Sequence, residues 1–248
     1  LTNGVAFGSR RRQACSMRVL TETACRVCGE EQVRDLVSVG ELRYLRCDAC
    51  EATLLASAHL LEADAELAFY LTHRNDADDA GYRAFLARLV EPLRMQLAPG
   101  SIGLDYGCGP DSALAVMLEE FGHRVISYDP FFAPDASVLE RRYDFVACTE
   151  VIEHFHQPAD EFARLDRMLE PGGVLALMTC FQTDDARFPN WHYRRDPTHV
   201  VFYREHTLRR LADIHGWCCE IPGKDVALMR KPVADATISR PIRTRTRR

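Results

Sequence analysis

The sequence has no long apolar run: its longest, such as Val174 to Met178, fall far short of the ~20 residues that a bilayer-spanning helix needs. No membrane partner is expected. An apolar stretch of signal-peptide length is missing after Arg10, Arg11 and Arg12, which argues against secretion. Net positive charge is also absent. At −5 the molecule as a whole has no attraction for nucleic acid. Only Arg240, Arg243, Arg245, Arg247 and Arg248 depart from this. They read as part of a solvated, disordered basic tail over 233–248, with a phosphate-binding arm as the sharper alternative. No internal repeat is present.

A disulfide framework is not indicated either. Ten cysteines would suggest one in a small secreted domain, but here four sit in metal spacing and the rest are scattered. That usage fits a reducing, cytoplasmic setting. The 248 residues, 47% hydrophobic and 27% charged, are enough for a full α/β domain with a small module appended.

Cys25-Arg26-Val27-Cys28 and Cys47-Asp48-Ala49-Cys50 are two C-x-x-C knuckles with a β-type stretch between them (Leu36 to Val39, Leu42 to Leu45). Four thiolates so spaced can close a tetrahedral structural Zn²⁺ site and leave no position open for catalysis. Reduced core cysteines are the bland alternative. The flanking Arg26, Glu30, Arg46 and Asp48 speak for a surface and against a core.

Residues 57–98 show helical spacing (Leu61, Leu67, Phe69 and Tyr70, then Phe85, Leu86, Leu89, Val90 and Leu93), broken by Asn75, Asp76, Asp78, Asp79 and Gly81. From Ile102 the order becomes strand, Gly-rich turn, helix and strand again. The segments are Ile102 to Tyr106, a helix Ser112 to Phe121, Val125 to Tyr128, Asp144 to Cys148, a helix Ala159 to Leu169, a Pro171-Gly172-Gly173 turn, and Val174 to Thr179. A helix Thr207 to His215 and a hairpin of Cys218 to Ile221 with Val226 to Arg230 close the chain. This alternation predicts a doubly wound, mostly parallel α/β sheet with an antiparallel C-terminal hairpin. The domains expected are an extension over 1–20, a zinc ribbon over 21–56, a helical connector or lid over 57–98, a Rossmann-like domain over 99–232, and the tail. Because the chain opens on Leu1 and Met17 precedes the first motif, residues 1–16 read as a loose extension or a translation-start artefact.

In Leu104-Asp105-Tyr106-Gly107-Cys108-Gly109-Pro110, the two glycines let a ligand approach the backbone, and the following helix offers free N–H groups. Asp129, twenty residues past Gly109, is placed to accept from ribose hydroxyls. A dinucleotide fingerprint would need glycine where Ser112 stands, which demotes NAD. LDYGCGP, the acid in SYDP, FVACTEVIEHF and EPGGVLALM together resemble the ordered motifs of class I S-adenosylmethionine-dependent methyltransferases over residues 101–231. The sequence departs from that pattern at Asp111, where the family has a third glycine.

The resemblance implies a seven-stranded-type sheet and S-adenosylmethionine as cofactor. Asp105, Gly107 and Gly109 would hold its methionine portion and Asp129 its ribose, with Tyr106, Cys108 and Pro130 alongside and Thr149 and Glu150 bordering the sulfonium. Glu150, Glu153 and His154 are expected on one helical face just past the strand that ends at Cys148. They can supply a general base at His154, or a divalent cation site as in some quinone O-methyltransferases with a similar E-x-x-E-H run. The bland alternatives are a helix cap at Glu153 and a packed His154.

Trp191, His192, Tyr193, Asp196, Thr198, His199 and Phe202 read as a substrate lid, and His73, Asn75, Asp78, Asp79 and Tyr82 as a second wall; capped loops are the alternative for each. His154 and His199 are the expected acid/base pair, facing the acceptor from below and above. The acceptor is expected to be a small molecule such as a sugar or quinone. A zinc-ribbon nucleic-acid-binding protein, or an RNA methyltransferase, is the competing reading.

Overall fold

The computed structural model describes residues 22–72 and 76–233. The N-terminal extension, the basic tail beyond Val233, and His73 and Asn75 of the second wall lie outside these residues.

Strands β1 (Val33–Val39), β2 (Leu42–Cys47) and β3 (Thr53–Leu55) form an antiparallel sheet. Val39 pairs with Leu42 across the two-residue turn Gly40-Glu41, and Gly40 takes a positive φ of 61°, as tight hairpins require. The fourth strand of this sheet is remote in sequence: β8 (Val201–Phe202) pairs with β3 through Thr53↔Phe202 and Leu54↔Val201. The sheet order is β1-β2-β3-β8, so the N-terminal residues complete their sheet with a strand from the end of the predicted lid.

Helices α1 (Ala63–Tyr70) and α2 (Ala80–Arg94) follow. Asp79 starts α2 by accepting from the Tyr82 N–H at 2.6 Å, and the i, i+3, i+4 set Leu86, Leu89, Val90 and Leu93 forms its buried face.

The second sheet contains β4 (Ile102–Tyr106), β5 (Arg124–Tyr128), β6 (Tyr143–Thr149), β7 (Leu169–Met178), β9 (Cys218–Gly223) and β10 (Val226–Arg230), in the order β5-β4-β6-β7-β10-β9. The first four of these are parallel, and β10 runs antiparallel to both neighbours. Helices α3 (Ala113–Glu119), α4 (Pro158–Met168) and α5 (Glu205–His215) complete it. Alternation along the strands splits the core between the two faces. Phe145, Ala147, Ala176 and Met178 pack with α2 and α3, while Val146, Leu175 and Leu177 join the cluster that continues into the cysteine sheet. This is the expected mixed α/β sheet with its antiparallel C-terminal hairpin. Among the described residues no helix is long and apolar enough to cross a membrane.

Two local expectations need correction. Among the described residues the sheet has six strands, not seven. The segment after β5 carries Pro130 and Pro134, which cannot donate to a ladder; it forms a single bridge, Asp129↔Ala133, and a 3-10 helix over Ala136–Glu140. Pro171-Gly172-Gly173 belongs to β7 instead of forming a separate turn, and the register against β6 slips between Tyr143 and Phe145. A Cβ on Gly173 would lie 2.9 Å from the Glu170 carbonyl oxygen, so the slipped backbone admits only glycine there.

Candidate active site

Strand order reverses about β4, whose neighbours β5 and β6 lie on opposite sides, and ligands bind such sheets beyond the carboxyl ends of the strands at that point. The Gly turn leaves β4 there. Gly107 and Cys108 both donate their N–H groups to the Tyr128 carbonyl, at 2.8 and 3.1 Å. Gly107 has φ 81° and Gly109 φ 67°, and a Cβ at 107 would stand 2.5 Å from Val151 Cγ2. Asp129 ties the turn to the end of β5: Oδ2 accepts from Gly109 N at 3.1 Å, and Oδ1 from Phe131 N and Phe132 N at 2.8 and 3.1 Å. Asp105 is buried and accepts from the Ser112 hydroxyl at 2.5 Å, while Ser112 caps α3. Burial pushes the Asp105 carboxyl up to about 6, against the hydrogen bond from Ser112.

At the end of β6 the backbone does not continue as a helix. Glu150 takes φ 53° while its N–H donates to the Met178 carbonyl at 2.8 Å, and only a 3-10 turn, Ile152–His154, follows. The expected helical face through Glu150, Glu153 and His154 is therefore absent. Tyr193 reaches Glu153 instead: its hydroxyl donates to the Glu153 carboxyl and bonds the Thr179 hydroxyl at 3.0 Å. Glu153 is wholly buried and does not cap a helix. Burial raises the Glu150 carboxyl to about 7, and burial together with the Glu150 charge raises Glu153 well above the carboxylate range.

His154 and His199 are edge-to-face neighbours, with ring centroids 4.7 Å apart. They share one wall, where the sequence reading set them on opposite sides of the acceptor. The lid is pinned to the 3-10 turn by Val200 N donating to the Glu153 carbonyl at 2.9 Å, and this brings His199 down beside His154. His154 Nδ1 lies 3.0 Å from the Thr198 carbonyl and His199 Nδ1 2.7 Å from that of Tyr193.

A cavity of about 860 Å³ joins these parts. Its lining includes Asp105, Gly107, Cys108, Gly109, Asp129, Pro130, Thr149 and Glu150 together with His154, His192, Tyr193, Asp196 and His199. Of the lid residues, Trp191, Thr198 and Phe202 do not reach it. Thr198 and Phe202 are buried, and Trp191 packs in an aromatic cluster with Phe188 and Phe202. On the second wall Tyr82 lines the cavity, Asp79 caps α2, and Asp78 donates its N–H to Asp76.

Sequence reasoning missed several lining residues. Tyr70 closes one side, its ring 5.4 Å from His154 and 5.7 Å from Phe131. Glu66 pairs with His156 at 2.8 Å, and Glu161 accepts from Tyr106 OH at 2.6 Å while held by Arg164. No motif marks them. The position of Tyr70 at the end of α1, just before the helix break, was the only available signal.

The four cysteines of the knuckles converge separately. Their sulfurs all lie within 4.8 Å of one another, with Cys25 to Cys50 at 3.7 Å and Cys28 to Cys47 at 3.6 Å. Zn–S bonds of ~2.3 Å put two sulfurs of a tetrahedron ~3.8 Å apart, so the set fits one zinc ion. The flanking residues differ from the expectation. Glu30 and Asp48 are exposed, but Arg46 is buried against the Glu51 carbonyl and the Asp185 carboxylate. Arg26 reaches inward too, to the His156 and Leu55 carbonyls, because the cysteine sheet packs on the larger one and covers them.

The family described as methyltransferase domain matches residues 76–219 of this chain, more than half of it. No curated protein matches. Similar solved structures include a chain of the complex of the Trm112 methyltransferase activator from Haloferax volcanii: 14% identity, 66% of this chain and 96% of that one covered, TM-score 0.49. The 1,6-didemethyltoxoflavin N1-methyltransferase from Burkholderia thailandensis is 21% identical over 80% of this chain and 99% of that one, with a TM-score of 0.44. An O-methyltransferase family protein from the same organism is 16% identical over 64% and 62%, with a TM-score of 0.42.

Proposed function

Since this chain belongs to the methyltransferase-domain family and is an S-adenosylmethionine-dependent methyltransferase, we propose that it methylates a small molecule held between the Gly turn and the histidine wall. The observation that carries this reading is one continuous cavity of about 860 Å³ lined by both. Pockets of ~300–1,000 Å³ enclose drug-sized ligands and bury most of their surface.

S-adenosylmethionine supplies an electrophilic methyl group on sulfur; the chain's own residues bind, align and exclude water. In this reading Asp105 and the turn at Gly107 and Gly109 face the methionine portion and Asp129 the ribose, while Tyr106, Cys108, Pro130, Thr149 and Glu150 surround the cofactor. His154 and His199, beside Glu150 and Glu153, stand at the acceptor end, where a hydroxyl or amine must lose its proton. Incubation of the protein with a metabolite extract and methyl-labelled cofactor should transfer label to a small molecule; label appearing only in RNA or protein would remove the small-molecule reading.

Asp129→Ala should weaken cofactor binding by about 1–3 kcal/mol, because it leaves ribose hydroxyls unpaired in a partly buried site. It also unties Gly109 from the end of β5. Calorimetry showing wild-type affinity in this variant would overturn the cofactor pose.

Asp105 makes that affinity pH-dependent. Its folded value of about 6 lies above the ordinary 3.8, so the neutral carboxyl is the form the empty fold prefers, and that contribution to stability is complete below pH 3.8 and lost as pH rises through 6. A cationic ligand beside it favours the carboxylate. Asp105 should therefore make cofactor affinity fall by up to about tenfold per unit below pH 6, beneath any step that Glu150, raised to about 7 in the same cavity, adds above it. Asp105→Asn should bind weakly and lose the step near pH 6, and an unchanged step near 6 in that variant would acquit Asp105.

For the four-cysteine cluster we propose a structural zinc ion held by Cys25, Cys28, Cys47 and Cys50, on the strength of the sulfur separations and the lack of an open position.

A further inference from the structure

Glu153, His154 and His199 each offer a ligating atom, and these atoms lie within 4.8 Å of one another. The carboxyl group of Glu153 is wholly buried and only half satisfied. Oε1 takes the Tyr193 hydroxyl, whereas Oε2 has no partner among the described residues. A buried carboxyl oxygen without a partner is costly in either protonation state, and a cation that displaces the proton is one way to satisfy it. Both imidazoles are oriented by carbonyls: Thr198 O faces His154 Nδ1, and Tyr193 O faces His199 Nδ1. A carbonyl can only accept, so each Nδ1 carries the hydrogen and Nε2 is the atom that ligates when the ring is neutral; on His199 it also faces Asp196 Oδ2 at 3.7 Å. That is how outer-shell carbonyls prepare histidines for a metal.

We propose that Glu153, His154 and His199 bind one divalent first-row transition ion whose open positions face the cavity, and that the acceptor is a hydroxyl compound whose oxygen takes one of them. This deepens the reading of the pocket as an acceptor site and rests on it. The set is not the E-x-x-E-H run of the sequence: Glu150 stands outside it, and His199, forty-five residues past His154, completes it. Two imidazoles and one carboxylate suit manganese, iron, cobalt or zinc better than magnesium, which prefers oxygen ligands and retained waters. Three ligands evenly spaced ~2.1 Å from one ion stand at most ~3.6 Å apart, so atoms up to 4.8 Å apart close on it with shifts of at most ~0.7 Å each.

The bound ion lowers the pKa of the acceptor hydroxyl, whose proton passes to water at the cavity mouth. The oxygen's electron pair then forms the O–CH₃ bond as the S–CH₃ bond breaks. The breaking bond leaves its pair on sulfur as a neutral thioether, and no oxidation occurs.

The test is a Mn²⁺ titration of the full-length, zinc-loaded protein, following the paramagnetic resonance signal of free Mn²⁺, with cofactor binding and zinc content measured on the same samples. Wild type should take up one Mn²⁺ per chain, and Glu153→Gln and His199→Gln should bind it at least ~10-fold more weakly at unchanged zinc content. Nitrogen couplings from two imidazoles in the bound Mn²⁺ spectrum should appear whether or not the variants fold. Wild-type protein that takes up neither Mn²⁺ nor a second zinc equivalent, a bound spectrum without nitrogen coupling, or two folded variants binding like wild type would overturn the proposal. Failure to bind S-adenosylmethionine would instead sink the pocket reading and leave the Mn²⁺ result standing.

Discussion

Alanine at His154 or at His199 is expected to lower methyl transfer by ~10²–10⁴ while cofactor affinity stays near normal, once an acceptor is in hand. In the proposed reading the two side chains serve the acceptor while the Gly turn and Asp129 hold the cofactor, so truncation should touch the acceptor's activation and leave the cofactor's cradle. Because their rings are 4.7 Å apart and one lid segment holds both, the double variant should lose little more than the worse single one. Full activity in both single variants would confine the histidines to packing. Equal losses of turnover and cofactor affinity would mean that the wall had collapsed.

Cys47→Ser is expected to abolish the metal site and with it the native fold. Structural zinc in small four-ligand sites is worth ~10–16 kcal/mol in apparent binding, comparable to the whole ~5–15 kcal/mol stability of a domain. The damage should not stay local. Cys47 ends β2, β2 pairs with β3, and β3 pairs with β8, which begins two residues after His199. Metal analysis should find about one zinc per wild-type chain, and the variant should show a strongly lowered melting midpoint with poor recovery of folded protein. Metal-free wild-type protein, or a serine variant melting like wild type, would remove zinc from the account.

Much of the cofactor end was readable from sequence because its signals are local. Ile102–Tyr106 was delimited by its apolar run, the turn by Gly107 and Gly109, and Asp129 by its distance from them. The cysteine cluster was readable for the same reason, since each knuckle encodes its own turn. The acceptor end was only half readable. Its residues were named, but their arrangement was inferred from helical spacing that the backbone does not adopt, because Glu150 turns into the left-handed region beside Met178. Tyr70, Glu66 and His156 carried no motif and were missed as lining.

What the sequence determined by itself is the alternation of strands and helices, the Gly turn with Asp105 and Asp129, and the two C-x-x-C pairs, all set by neighbours within about twenty residues. Only the tertiary structure decided that His199 meets His154, that Tyr193 bonds Glu153, that Arg46 is buried, and that Val201–Phe202 completes the cysteine sheet. The physical reason is that side-chain periodicity records which face of an element is buried but not what buries it. The partner across a sheet edge or under a lid is selected by packing the whole core, a condition that no single stretch of sequence carries.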